Sequence, residues 1–165
     1  LYNCDVIATA SPDKLDKCLE LGADYAVDHR KEDWNKEVFK ISKEIAKTKG
    51  EAPGIDLSFD HIGQTHWNKQ ISMLKFGGTL VSCGATTGYD AKMDLRHVFF
   101  KGTNILGSTQ GTKAELDQGL YWMGKGKIKA AIDSIHTFEQ AAEAHTKMLT
   151  GKGMFGKILM KPEGA

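Results

Sequence analysis

Short runs of β-branched and apolar residues alternate along this chain with stretches whose apolar residues recur at helical spacing, and that alternation admits few folds. Strands are predicted over 4–11, 25–28, 55–60, 79–84, 104–108, 132–135 and 157–160. Ser11-Pro12 has the form of an N-cap followed by proline at N1, with Leu15, Cys18 and Leu19 on one helical face and Gly22 as the stop. Asp33 caps a second helix carrying Trp34, Val38, Ile41 and Ile45, ended by Gly50. A third begins at Thr65, turns Trp67, Ile71 and Leu74 inward and is stopped by Gly77-Gly78. Residues 85–103 read as less regular. Further helices are predicted over 115–123, with Leu116, Leu120 and Met123 on one side, and over 138–149. Strands joined by helices imply right-handed crossovers, so the fold class is α/β, a doubly wound, mostly parallel sheet covered on both faces. No internal repeat or linker divides residues 1–165, which read as a single domain.

Composition narrows the partners. A net charge of +1 gives no basic surface for nucleic acid, and no apolar run reaches the roughly 18 residues of a membrane span. Cys4, Cys18 and Cys83 are few, scattered and odd in number, and are expected to be reduced, mostly buried thiols of a cytoplasmic protein. None of the six histidines shows H-x-x-x-H or H-E-x-x-H spacing, so no metal site is expected in this chain.

Open sheets of this class bind dinucleotides beyond the carboxyl ends of their strands, with the pyrophosphate on a glycine-rich turn after the first strand. That strand and turn are absent from the sequence. Leu1 is not an initiator methionine, and the chain is expected to start partway through a larger protein. One G-x-G-x-x-G does occur, at 151–156, but a helix precedes it and a strand follows, the reverse of the fingerprint's context; it reads as a helix stop and a turn. Gly124-Lys125-Gly126 reads as another helix stop. The tip of the second strand of such folds selects the cofactor, a carboxylate there favouring NAD. Here the tip is Thr9-Ala10-Ser11 with Lys14 one turn on, a hydroxyl and a cation in place of the carboxylate, so NADP is favoured over NAD. Later strands end in Ile62-Gly63, Gly84-Ala85 and Gly107-Ser108, where glycine would let backbone approach a ligand.

With these pieces in order, the chain resembles the cofactor-binding domain of the medium-chain dehydrogenase/reductases, the zinc-type alcohol dehydrogenase and quinone oxidoreductase superfamily. The resemblance covers essentially the whole chain. It is carried by Asp5 to Ser11, Lys14, Leu21-Gly22-Ala23-Asp24, Ile55 to Gly63, Gly77 to Gly84, Ile105 to Ser108, Gly126-Lys127-Ile128, Ala141 to His145 and Phe155 to Ile158. It implies a Rossmann-like sheet and reversible hydride transfer between NAD(P)H and a small alcohol, carbonyl, quinone or activated alkene. By the same resemblance Thr9 stands at the position of the NAD-selecting acid and Lys14 reaches the adenosine ribose or its phosphate. Ile62 and Gly63 lie over the adenosine, Ala85, Gly107 and Ser108 hold the nicotinamide carboxamide, and Lys157 approaches the cofactor in NADP-using relatives. The strand at Ile105-Leu106 pairs across the two-fold axis of family dimers, implying a homodimer or tetramer. Catalytic zinc and much of the substrate pocket belong to an N-terminal GroES-like domain absent from this chain, so no catalytic residue is assigned here.

In the strand order 3-2-1-4-5-6 the missing strand is central. A chain without it is expected to carry two unpaired inner edges and, alone, to fold poorly, rearrange, or pair with another chain, and to be inactive. Two other readings stay open: a non-catalytic NADP-binding domain acting as a sensor or structural subunit, and a doubly wound methyltransferase. Thr9 argues against the methyltransferase, which usually carries an acid at that tip.

Overall fold

The computed structural model describes residues 2–162. Seven strands and six α-helices follow one another as β1 (Ile7–Ala10), α1 (Leu15–Glu20), β2 (Tyr25–Asp28), α2 (Trp34–Lys49), β3 (Ile55–Asp60), α3 (Trp67–Met73), β4 (Leu74–Ser82), α4 (Leu95–Lys101), β5 (Asn104–Gly107), α5 (Lys113–Gly124), β6 (Ile132–Thr137), α6 (Ala141–Thr150) and β7 (Lys157–Lys161). The strands form three sheets, β1–β2, β3–β4–β5 and β6–β7, and every pair within the last two sheets is parallel. The chain divides into two compact units, one holding residues up to Ala26 and from Gly111 onward, the other Val27–Gln110.

In the second unit the core is the cluster Ile71, Leu74 and Leu80, with Ile55, Trp67 and Met93 packed against it. Burying each of the three is worth about 1.5–3 kcal/mol. The third helix is shorter than its periodicity predicts. It ends at Met73, and Leu74 turns extended (φ −62°, ψ 140°) to open β4, pairing with Ile55. The lysine of α4 makes this possible: Lys101 Nζ donates to Ser72 O and Leu74 O, both at 2.9 Å, satisfying carbonyls that the early stop would orphan. Burial pushes the pKa of that ammonium down. Helix α4 itself lies in the stretch read as irregular. Its signals are an Asp94 side chain accepting from Arg96 N–H and Gly102 closing it in the left-handed region (φ 59°).

On α2 the buried positions are Trp34, Val38, Ser42 and Ala46, a strict i, i+4 stripe, rather than Ile41 and Ile45. Ser42 is tolerated there because its hydroxyl donates to Phe39 O (2.8 Å) and accepts from Gly54 N–H (3.2 Å). Strand β3 also departs from expectation. Ser58 and Asp60 both reach Gln70 of α3, so by alternation Leu57 and Phe59 face the other way, and they are 60% and 64% exposed. An apolar run identifies the side chains that could be covered, not whether a layer covers them. The same reason leaves α5 without a buried residue, Leu116, Leu120 and Met123 included, and Leu19 of α1 exposed. Cys4 and Cys83 are exposed rather than buried, because they fall outside the strands, ahead of β1 and just past β4; Cys18 is half-buried, and all three are free thiols.

In the first unit Gly151 (φ 59°) closes α6 and Lys157 opens β7, so the G-x-G-x-x-G run is the helix stop and turn it was read as. Gly126 (φ 67°) likewise follows the end of α5, whose start carries a full capping box between Thr112 and Glu115. Asp133 of β6 fastens this unit. One carboxylate oxygen accepts Phe155 N–H at 2.9 Å; the other accepts the Ser134 hydroxyl at 2.9 Å and pairs with Lys147 of α6. The lysine and then the Phe155 amide hold the Asp133 carboxyl down at about 2, against an ordinary value of 3.8. A depressed carboxylate stabilises the fold above the unfolded pKa and loses that contribution as pH falls toward the folded one. Asp133→Asn is therefore expected to be less stable at neutral pH and to lose less of its stability between about pH 5 and 2 than the native protein. Thermal denaturation of both across that range checks this.

Candidate functional site

The loops that follow β3 and β4 are joined backbone to backbone. The parallel pairing of Asp60 with Ser82 continues as Cys83 N–H donates to Asp60 O at 2.8 Å. Beyond it Thr87 N–H and the Thr87 hydroxyl both donate to Ile62 O at 2.8 Å, and the Thr86 hydroxyl donates to His61 O at 2.8 Å. Gln64 N–H then donates to Gly88 O at 3.1 Å, and the Thr65 and Thr87 hydroxyls meet at 3.1 Å. The ladder thus runs several residues past the strands. Such closeness excludes side chains. A Cβ on Gly63 (φ +84°) would stand 2.8 Å from Gly88 O and 2.9 Å from Ala85 Cα, and one on Gly84 would stand 3.0 Å from His61 O. Glycine at these two positions serves the packing of one loop against the other.

From below, the buried Asp60 carboxylate accepts the N–H groups of Ile62 (3.1 Å) and Gly63 (3.1 Å). The polar backbone of Ile62-Gly63 is accordingly engaged within the protein, and what it leaves toward the strand ends is the half-buried Ile62 side chain. Ala85 is exposed. Just past β5, Ser108 N–H donates to Ser82 O at 2.8 Å, so Ser108 keeps its carbonyl and hydroxyl, while a Cβ on Gly107 would meet nothing within 4 Å. Ile62-Gly63, Gly84-Ala85 and Gly107-Ser108 therefore end three neighbouring parallel strands at their carboxyl edge.

In the first unit Thr9 is exposed near the end of β1. Ser11 is buried and precedes a 3-10 turn over Pro12–Lys14; it accepts Lys14 N–H on its carbonyl (2.9 Å), and its side chain makes no capping bond. Lys14 is half-buried. Lys157 stands exposed at the start of β7, paired with Ile132 of β6, at an amino end rather than a carboxyl end of a strand.

A ready-made match comes from the family model for a zinc-binding dehydrogenase, which covers residues 1–125. The chain belongs to that family. Its members are oxidoreductases of the medium-chain dehydrogenase/reductase superfamily, and the fold is the Rossmann-like α/β one that the sequence implied. The quinone oxidoreductase of Pongo abelii is 30% identical over 96% of this chain and 47% of its own length. A solved NAD-dependent alcohol dehydrogenase is 33% identical, with a TM-score of 0.79 over 95% of this chain and 43% of its own. The crotonyl-CoA carboxylase/reductase AntE in complex with NADP, 21% identical, shares the fold at a TM-score of 0.79 over 93% of this chain and 42% of its own. The chain spans less than half the length of each.

No three His, Cys, Asp or Glu side chains come together as a metal site among the described residues. No helix among them is long and apolar enough to cross a membrane. Sequence reasoning missed the aromatic cluster where His66, just ahead of α3, lies 5.3 Å from the ring of His29 and 5.1 Å from that of Trp34. Burial and then the neighbouring His29 lower the pKa of His66. It also missed Asp60 as the clamp beneath Ile62-Gly63, although an acid three residues before a strand-end glycine was in plain view. A shallow polar groove lined by Gln64, Asn68, Asp90, Lys92, Met93 and Asp94 contains none of the predicted residues.

Gly63→Ala must push a methyl group into the backbone of the facing loop at a positive φ, and is expected to destabilise the protein by about 2 kcal/mol or more. Urea denaturation of the variant beside the native protein measures it.

Proposed function

We propose that this chain forms the cofactor-binding part of an NAD(P)-dependent oxidoreductase of the alcohol dehydrogenase or quinone/enone reductase type, with NADP as the preferred cofactor. The observation that carries the reading is the trio of parallel strands β3, β4 and β5, whose carboxyl ends present a locked loop pair beside the open Gly107-Ser108 backbone. This is where open α/β sheets hold ligands. At that edge stand an apolar side chain at Ile62 and exposed backbone at Ala85 and Gly107, groups of the kind that pack against and orient a dinucleotide.

In this reading Ile62 packs against the adenosine side, while Ala85, Gly107 and the Ser108 carbonyl and hydroxyl orient the nicotinamide carboxamide. Thr9, Ser11 and Lys14 recognise the adenosine ribose and its 2′-phosphate, the hydroxyls as hydrogen-bond partners and Lys14 as the cation. The resemblance would bring Lys157 to the cofactor as well, although it opens β7 rather than ending it. The nicotinamide, when bound, supplies the hydride chemistry; this chain's residues bind and orient it. An alcohol, carbonyl, quinone or activated alkene is the substrate class, and any zinc would be held by residues outside this chain. NADP use is favoured by Thr9 standing where a carboxylate would exclude the phosphate, and the AntE complex shows that a protein of this fold takes NADP. A homodimer or tetramer paired through β5 and a cytoplasmic setting complete the proposal.

Thr9→Asp tests it directly. The new carboxylate is expected to weaken NADPH binding about tenfold, or ~1.4 kcal/mol, and to strengthen NADH binding. Fluorescence titration of the native protein and the variant with both nucleotides reads the switch. NADPH affinity unmoved by the substitution would place Thr9 away from the ribose, and a native protein that binds neither nucleotide would end the proposal.

A further inference from the structure

Asp60 is 1% exposed. A buried carboxylate is costly unless its oxygens are well satisfied, usually by a cation. Here the hydrogen bonds come from neutral donors. Oδ1 accepts Ile62 N–H at 3.1 Å and Gln70 Nε2 at 2.6 Å, and Oδ2 accepts Gly63 N–H at 3.1 Å. Gln70, itself buried at 6% exposure, is oriented in turn by the Ser58 hydroxyl donating to its Oε1 at 2.6 Å. Three polar residues on adjacent elements are thus arranged so that a carboxylate draws two consecutive backbone N–H groups inward.

A buried polar network adds little net stability over apolar packing, but it fixes one conformation sharply. The conformation fixed here is that of Ile62-Gly63. With both N–H groups directed down to Asp60, the Ile62 carbonyl is left to accept Thr87 N–H and the Thr87 hydroxyl, which ties the β4 loop to the same point. One side chain therefore sets the position of Ile62 directly and of the Ala85 segment through Thr87.

We propose that Asp60 is a positioning residue for the dinucleotide, holding the Ile62-Gly63 turn, and through Thr87 the loop at Ala85, in the geometry that receives the cofactor. This rests on the cofactor-binding reading above. It assigns Asp60 no contact with the ligand and no part in hydride transfer.

The test is a fluorescence titration with NADPH of the native protein, Asp60→Asn, Asp60→Ala and Thr87→Val, reading both Kd and the number of sites per chain. A residue that only supports folding changes the fraction of competent protein, and so the number of sites, without moving Kd. A positioning residue moves Kd while the sites stay filled. Asp60→Asn keeps an oxygen for Gly63 N–H but loses the charge, and is expected to raise Kd about fivefold at unchanged stoichiometry. Asp60→Ala is expected to raise it by about tenfold or more. Thr87→Val, which keeps its shape and its backbone N–H bond, should fall between native and Asp60→Ala. If Asp60→Ala does not fold, Asp60→Asn and Thr87→Val carry the test. Kd within about twofold of native in both of these, with or without lost sites, overturns the proposal while leaving cofactor binding intact. A native protein that binds neither NADPH nor NADH overturns the cofactor reading and this inference with it.

Discussion

The pairing of β3 with β4 does not stop where the strands do, and the geometry of the strand ends in this unit hangs on that continuation. From Cys83 onward the hydrogen bonds pass to loop backbone and threonine hydroxyls, and they keep the loops in step for several more residues. A parallel ladder has evenly spaced, slanted bonds, so each pair registers the next. Here the register carries past Ser82 into the turn that holds Ile62. The loops are thereby built as an extension of the sheet, with a sheet's rigidity, although neither is a strand.

That continuation depends on an inversion of the usual polarity. Strand β3 turns Ser58 and Asp60 toward α3 and leaves Leu57 and Phe59 on the other face. In most buried strands the helix side would be apolar throughout. The apolar contact between this sheet and its helices falls instead to Ile71, Leu74 and Leu80, with Lys101 closing the end of α3. Polar and apolar groups interleave along the same strands: Leu80 of the core pairs with Ser58, two residues before Asp60 pairs with Ser82.

Most of the element order was legible in the sequence because periodicity and glycine stops are local. Strands β2 and β3 and the Gly50 stop of α2 fall where the pattern put them, and the G-x-G-x-x-G run could be set aside on context alone. Where structure and pattern part, the cause is mostly distant in the chain: Lys101 ends α3 earlier than its periodicity predicts, and neighbouring layers decide which stripes of α5 and β3 are buried. Helix α4 is the exception, since its Asp94 cap and Gly102 stop are local. The candidate site divides the same way. Its residues at the strand ends could be named from the sequence, but the use of Gly63 and Gly84 could not. What stands opposite such a glycine is not written in its own neighbourhood: here the Ala85, Gly88 and His61 backbones come from the facing loop.

The glycine interlock has a consequence for how such a chain can change over time. Surface loops ordinarily accept insertions and deletions, since little depends on their length. Here the loop after β3 and the loop after β4 are matched residue against residue, with a carbonyl of one seated where a side chain of the other would be. A single added residue in either would throw every later bond out of step. These two segments should drift in composition but keep a fixed length, and any alteration in one should be tolerated only with a compensating alteration in the other. They are loops by shape that inherit the constraints of a core.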